Sequence, residues 1–404
     1  MGLRASTVHR PLQPLSRSPP TSHAESTAQP SRVARAQTSV LPSLHSNSRI
    51  LVKKNSGCRL EDVIRVSRRG GYVRLNMNES PYPPPPLAVK MAKRYAGHMN
   101  LYEVEHLREE LLEELSRYAG VSRRSIDLFA GSSEAISIML SLARASGVDV
   151  VLPHPTFFVV YELARAHGVR LVPVQLSGED FELRAEELAR RAGGRLVYLA
   201  NPNNPTGNLL VEDAALVARL AARAKYLFLD EAYYEFSGTT FCSDAVELGN
   251  VAVLRSLSKA FSLAGARVGY VVASPEMLRA LNSFRIGFEV PVISQAAALG
   301  ALRSRGYASR VVEEVSKTRE WFREKLLELG IPTPESRTNF VLAKLPTSCV
   351  KVQRRLRRMG FLVMCFDGVP ELRRFRQYMR ITVVRRDQME AFLEAFRRAL
   401  GKEI

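Results

Sequence analysis

The chain is expected to fold as an α/β protein, a large unit built on a mostly parallel sheet flanked by helices and a smaller α+β unit at the C-terminus. Three observations predict this. Short runs of continuous apolar residues alternate with helical patterns from about residue 100 to 273, which is how strands buried on both faces read. The order strand–helix–strand repeats, as crossover connections between parallel strands require. Beyond a long helical stretch at about 292–330 the pattern changes to strand, helix and two further strands. With 404 residues, 46% of them hydrophobic, there is apolar material for two such units.

Element by element, EVEHLREELLEELSRY (103–118) carries apolar residues near helical spacing, and IDLFA (126–130) is a short strand followed by the helix SEAISIMLSLARA (133–145). VDVVLP (148–153) is a buried strand. The helix after it is closed by Gly168, and VRLVPVQL (169–176) is the next strand. LVYLA (196–200), KYLFLD (225–230), VAVLRS (251–256) and VGYVVA (268–273) complete the large sheet. In the smaller unit NFVLAKL (339–345), FLVMCF (361–366) and YMRITVV (378–384) are strands, with helices at 349–359 and 387–400. The expected boundaries are a tail at 1–50, an N-terminal arm at 51–100, the large unit at 101–300 and the small unit with its linking helix at 301–404.

Residues 1 to about 48 are rich in Ser, Pro, Thr and Ala without hydrophobic periodicity. Such a composition predicts disorder, because too little apolar surface is available to offset ordering entropy. The segment reads as a start codon placed too early, an organelle transit peptide or an interaction tail. No run of about twenty apolar residues points to a membrane span, and the expected location is the cytoplasm, or an organelle if the tail is a transit peptide. Cys58, Cys242, Cys349 and Cys365 are scattered, and neither they nor the dispersed histidines have a metal-binding or disulfide-framework spacing. Reduced thiols and no metal are expected.

The formal net charge is +18, of which residues 1–60 carry +8 and the remainder +10. Much of that excess lies in stretches such as KVQRRLRRMG (351–360), where arginines interleave with apolar positions as on a solvated helix face. A basic surface suits anionic substrates as well as nucleic acid, so charge decides little.

Four segments carry chemistry. In RSLSKAFSLAGARVGY (255–270), Lys259 follows a buried strand, with Ser256 and Ser258 before it and Arg267 beyond it. Two hydroxyls and a guanidinium fork suit a phosphate dianion. In YLFLDEAYYEF (226–236), Asp230 ends a buried strand, where open α/β sheets place ligand contacts. A carboxylate there is costly without a cation, and a protonated pyridine nitrogen would supply one, with Tyr233 near the ring oxygen. ANPNNPTGN (200–208) is a sharp turn after a strand whose Asn204 amide reaches the same oxygen. In FAGSSEAI (129–136), Gly131, Ser132 and Ser133 lead into a helix whose free N–H groups favour a phosphate.

Taken in this order, the four segments resemble the fold-type-I pyridoxal-5′-phosphate (PLP) aminotransferases, and within them the histidinol-phosphate aminotransferase branch. The resemblance spans about residues 72–400, including LNMNESPYPPP (75–85) and PTFFVVYELA (155–164). It implies PLP as cofactor and Lys259 as the residue that links to it and moves the substrate proton. Ser132, Ser133, Phe157, Asn204, Asp230, Tyr233, Ser256, Ser258 and Arg267 then bind the cofactor, Phe157 stacking on its ring. Tyr102 reaches the cofactor phosphate of a neighbouring subunit, which implies a homodimer. Arg380 grips the substrate carboxylate, and Asn78 contacts the substrate. Partners are a small-molecule amino donor and a 2-oxo acid.

One departure stands out. GFLVMCF (360–366) has Met364 where the branch usually carries a substrate-phosphate arginine, with Arg373, Arg374 or Arg376 as conceivable substitutes. Ser80 is a second altered position. Histidinol phosphate with 2-oxoglutarate is the first substrate pair implied, and aromatic or aspartate-type transamination the alternative. A threonine-phosphate decarboxylase-like lyase is a third reading, and a basic nucleic-acid-binding protein on a non-catalytic scaffold is the reading from another class.

Overall fold

The computed structural model describes residues 71–401; the expectations for residues 1–70, including the tail, the first part of the arm and Cys58, lie outside them. Among the described residues eleven strands form two sheets. They are β1 (Val73–Leu75), β2 (Ile126–Phe129), β3 (Val150–His154), β4 (Leu171–Gln175), β5 (Leu196–Ala200), β6 (Tyr226–Asp230), β7 (Val251–Ser256), β8 (Gly269–Ala273), β9 (Phe340–Lys344), β10 (Phe361–Cys365) and β11 (Tyr378–Thr382). The large sheet has the order β2-β8-β7-β6-β5-β3-β4. All its pairings are parallel except those of β8, which runs antiparallel to both β2 and β7.

β3, β5, β7 and β8 are buried at every position, which is why they read as continuous apolar runs rather than alternating ones. The side chains divide by parity. Leu227, Leu229, Val251 and Val253 enter one apolar cluster, while Phe228, Ala252 and Leu254 enter the other on the opposite face.

The long helical stretch is two helices, Val292–Leu302 and Arg305–Glu328. The first is hydrophobic nearly all round and almost wholly buried, as its composition requires. It packs against the helix Pro86–Tyr95, and Gly300 makes the approach feasible: a Cβ there would lie 2.7 Å from the Ala88 Cα.

The second sheet has the order β1-β10-β11-β9. Three of its strands were expected; β1, only three residues long and parallel to β10, was not. In the helix Cys349–Arg358, Cys349, Val352 and Leu356 are buried while Arg354, Arg355, Arg357 and Arg358 are exposed, so the basic stretch is a solvated face.

The expectation of reduced thiols is corrected at two positions. Cys349 and Cys365 form a disulfide with a Cα–Cα distance of 5.8 Å. Their separation of 16 residues resembles no framework spacing, but the turn at Met359–Gly360 folds β10 back along its helix and brings the two together. Cys242 is a free, buried thiol. Among the described residues no helix is long and apolar enough to cross a membrane.

Candidate active site

The carboxyl ends of β5, β6 and β7 converge on a cavity of about 450 Å³ that the second sheet closes from the side. Its walls include Asn78, Ser132, Ser133, Phe157, Asn204, Asp230, Tyr233, Ser256, Ser258, Lys259, Arg267 and Arg380. Chain order scatters these residues over some 300 positions. Parallel strands of the large sheet gather most of them, because β3, β5, β6 and β7 end on the same edge, while Asn78 comes from the segment after β1 and Arg380 from the second sheet.

Asp230, the last residue of β6, is buried and holds two donors. The Tyr198 hydroxyl donates to Oδ2 at 2.8 Å and the Ala232 N–H to Oδ1 at 3.1 Å. Burial nevertheless pushes its carboxyl above the usual carboxylate range, with Tyr198, Ala232 and the charge of Lys259 opposing that shift. A cation placed against Asp230 would restore the ionised form. Tyr198 went unrecognised in the sequence, although its parity on β5 places it toward Asp230.

Lys259, three residues past β7, has its amine pushed down to about 8, first by burial and then by the positive charge of Arg380. A substantial neutral fraction near physiological pH makes it a competent nucleophile and base. Its Nζ donates to the Asn78 carbonyl at 3.1 Å. Asn78 is itself fixed in a left-handed conformation at φ 52°. Its N–H donates to the Thr382 hydroxyl at 3.0 Å, its Oδ1 accepts from that hydroxyl at 3.0 Å, and its Nδ2 donates to the Tyr233 hydroxyl at 2.8 Å. The Asn339 amide also donates to the Asn78 carbonyl at 3.0 Å. Asn339 and Thr382 are further residues of the site that sequence reading missed; their position at the ends of β9 and β11 was the available signal.

One end of the cavity lies where β2 gives way to the helix Ser132–Ala145. No side chain caps that helix, so its first N–H groups face the cavity mouth unoccupied by a protein acceptor. Gly131, at φ 78°, is required here: a Cβ would sit 2.7 Å from Arg267 Nη2. Ser256 and Ser258 are buried beside them. Two hydroxyls, a guanidinium and a helix N-terminus form a cradle suited to a phosphate dianion.

Arg380 on β11 is buried, donating through Nη1 to Asn204 Oδ1 at 2.8 Å and through Nη2 to the Asn76 carbonyl at 2.7 Å, while its Nε has no partner. Met364 on β10 is its cross-strand partner in register, so both side chains leave the same face of the sheet side by side. Met364 lines the cavity together with Met77, Phe158 and Val159; Arg373, Arg374 and Arg376 do not. Tyr102 lies away from this cavity. It is 83% exposed, and its ring is 5.7 Å from that of Phe288.

The residues fit PLP. Asp230 is a carboxylate in want of a cation, the uncapped helix and Arg267 form an anion cradle, and a buried lysine amine stands between them.

Residues 71–396 match the family described as aminotransferase class I and II. The histidinol-phosphate aminotransferase of Thermococcus gammatolerans is 34% identical over 83% of this chain and 94% of its own length. The relative of the same name in Caldanaerobacter subterraneus is 32% identical over 81% and 93%. Among solved structures, the histidinol-phosphate aminotransferase of Sinorhizobium meliloti in complex with pyridoxal-5′-phosphate superposes with a TM-score of 0.75 at 26% identity, covering 89% of this chain and 99% of that one. Matched along nearly all its described length, the chain belongs to the class I and II aminotransferases and is a PLP-dependent transaminase.

Proposed function

We propose that this enzyme transfers an amino group between histidinol phosphate and a 2-oxo acid, 2-oxoglutarate first, as a homodimer. The observation that carries the reading is the pairing of a buried lysine amine with a single uncommitted guanidinium nitrogen at Arg380, in a chain whose relatives carry that name. PLP, when bound, supplies the electron sink that makes a Cα–H bond acidic. Ser132, Ser133, Ser256, Ser258 and Arg267 would hold its phosphate, Phe157 its ring face, Asn204 and Tyr233 its ring oxygen, and Asp230 its ring nitrogen.

The chain's own residues then do the following. Arg380 orients the substrate through its anionic group, the α-carboxylate of an amino acid or the phosphate ester that histidinol phosphate carries in that direction. Lys259 accepts the proton from the substrate's Cα, its amine held ready by the Asn78 carbonyl. The apolar wall of Met77, Phe158, Val159 and Met364 receives the substrate ring.

That wall also favours a second reading. Among the described residues no guanidinium besides Arg267 and Arg380 lines the cavity, so a second carboxylate on the substrate would meet Met364 rather than a guanidinium. Aromatic amino acids, with one carboxylate and an apolar ring, fit it better than dicarboxylic ones, and thioether–aromatic contact is favourable. Absorption spectra of the PLP-loaded enzyme test both readings. Bleaching of the visible band by histidinol phosphate supports the first, and bleaching by L-phenylalanine alone replaces it with the second. Met364→Arg is expected to raise kcat/KM for L-glutamate by roughly 10–100-fold, the worth of one charge-assisted hydrogen bond, and to lower that for L-phenylalanine.

The dimer reading rests on the exposed apolar side chains Tyr102, Ile286 and Phe288, which are costly to leave in water. Tyr102 would then complete the phosphate cradle across the interface.

A further inference from the structure

Behind the cofactor-facing residues lies an ion pair that the chemistry above does not use. Arg255 and Glu231 are 2% and 0% exposed, and Arg255 Nε donates to Glu231 Oε2 at 2.8 Å. Burying two full charges in a protein interior needs a reason, because apolar residues of the same volume would serve stability as well or better.

The register supplies one. β6 and β7 pair in parallel with Asp230 opposite Leu254, and the ladder continues one step as the Glu231 N–H donates to the Leu254 carbonyl at 2.9 Å. Glu231 and Arg255 therefore bridge the carboxyl ends of two neighbouring strands. Glu231 directly follows Asp230, and Arg255 directly precedes Ser256. By strand alternation the pair points to the face opposite the cofactor-facing residues.

The grip extends further. The Arg255 guanidinium lies 3.5 Å from the centre of the Tyr234 ring, next in sequence to Tyr233. Its Nη2 donates to the Thr240 hydroxyl at 2.6 Å, and Glu231 Oε1 accepts the Phe241 N–H at 2.8 Å. One guanidinium thus holds the residue after Asp230 and the residue after Tyr233, and sits one place before Ser256, itself followed closely by Ser258 and Lys259.

We propose that the Glu231–Arg255 pair is a positioning clamp, setting the distance between the ring-nitrogen carboxylate of Asp230 on one strand and the phosphate hydroxyls and Lys259 on the next. The inference rests on the PLP reading of the site. A cofactor bridging two strand ends is sensitive to their separation: its ring nitrogen is held from β6 and its phosphate from the segment after β7. Without the clamp, only the backbone ladder holds the two ends together, and the loops beyond it are less constrained.

The test separates positioning from stability. Glu231→Leu/Arg255→Met replaces the pair by apolar side chains and is expected to fold with a denaturant midpoint near that of the parent. Its affinity for PLP should fall about tenfold, as for groups that orient a ligand's direct contacts. The absorption band of the bound cofactor should shift, and in the cofactor-free protein the amides of Ser258 and Lys259 should exchange with deuterium faster. A folded double variant with the parent's affinity, band and exchange rates overturns the clamp. If that variant does not fold, Glu231→Asp and Arg255→Lys, which keep both charges and alter only the reach, are read in the same three measurements, and unchanged values overturn the clamp equally. A parent protein that binds no PLP overturns the cofactor reading instead, while the exchange measurement still decides the clamp.

Discussion

At the scale of single residues, burial sets the reactivity of the site. The Lys259 amine is pushed down to about 8 because burial disfavours its charged form and Arg380 adds a repelling charge. Only the neutral amine attacks an aldehyde, so the rate at which cofactor-free protein captures PLP should rise with pH and level off above an inflection near 8. Arg380→Leu removes a charge that lowers this value, and stopped-flow capture should then show the inflection at higher pH. Lys259→Ala should abolish turnover, a loss of at least about 10³-fold, since the proton carrier itself is gone; a variant with near-parent rate would sink the assignment. Tyr198→Phe deletes a hydrogen bond that favours ionised Asp230. The carboxyl should then titrate higher, and the acid limb of the pH–rate profile should move upward.

Among elements, the loop at the start of helix Ser132–Ala145 and the β10 hairpin with its helix are the vulnerable parts. Gly131 combines φ 78° with ψ 170°, a region that residues with a Cβ rarely enter, and faces Arg267 at close range. Gly131→Ala should cost about 1–3 kcal/mol in stability and weaken PLP more than its dephosphorylated analogue pyridoxal, as paired titrations would show. The disulfide closes a loop of 16 residues. Replacing Cys349 and Cys365 by serine should lower unfolding free energy by about 3 kcal/mol, measurable by urea titration of the two proteins.

For the whole molecule, the proposed dimer rests on the exposed surface around Tyr102 and Phe288. Ile286 is 99% exposed in the single chain and Tyr102 83%. Light scattering should give the mass of a dimer, and Ile286→Lys/Phe288→Glu should give a monomer that binds PLP weakly, since Tyr102 of a second copy would no longer reach the phosphate. A monomeric parent with full activity would refute the shared site.

How much of this was legible in advance differs by kind of feature. Strand positions in the large sheet were readable because a strand buried on both faces must be apolar throughout, and LVYLA and VAVLRS occupy β5 and β7 with the expected bounds. Most residues expected around the cofactor share one cavity because they sit at strand ends or in the turns after them, whereas Tyr102 does not line it. The sequence by itself determined the alternation of elements, the lysine and the aspartate after buried strands, the hydroxyls and guanidinium of the proposed phosphate cradle, and the absence of an arginine at position 364. Tertiary structure alone decided the rest. The reversal of β8, the three-residue β1, the disulfide, and the contacts of Tyr198, Asn339 and Thr382 join residues far apart in the chain, up to 304 positions for Asn78 and Thr382. Local propensity carries no record of such partners, because their energies arise only once register and burial have brought them within hydrogen-bonding distance.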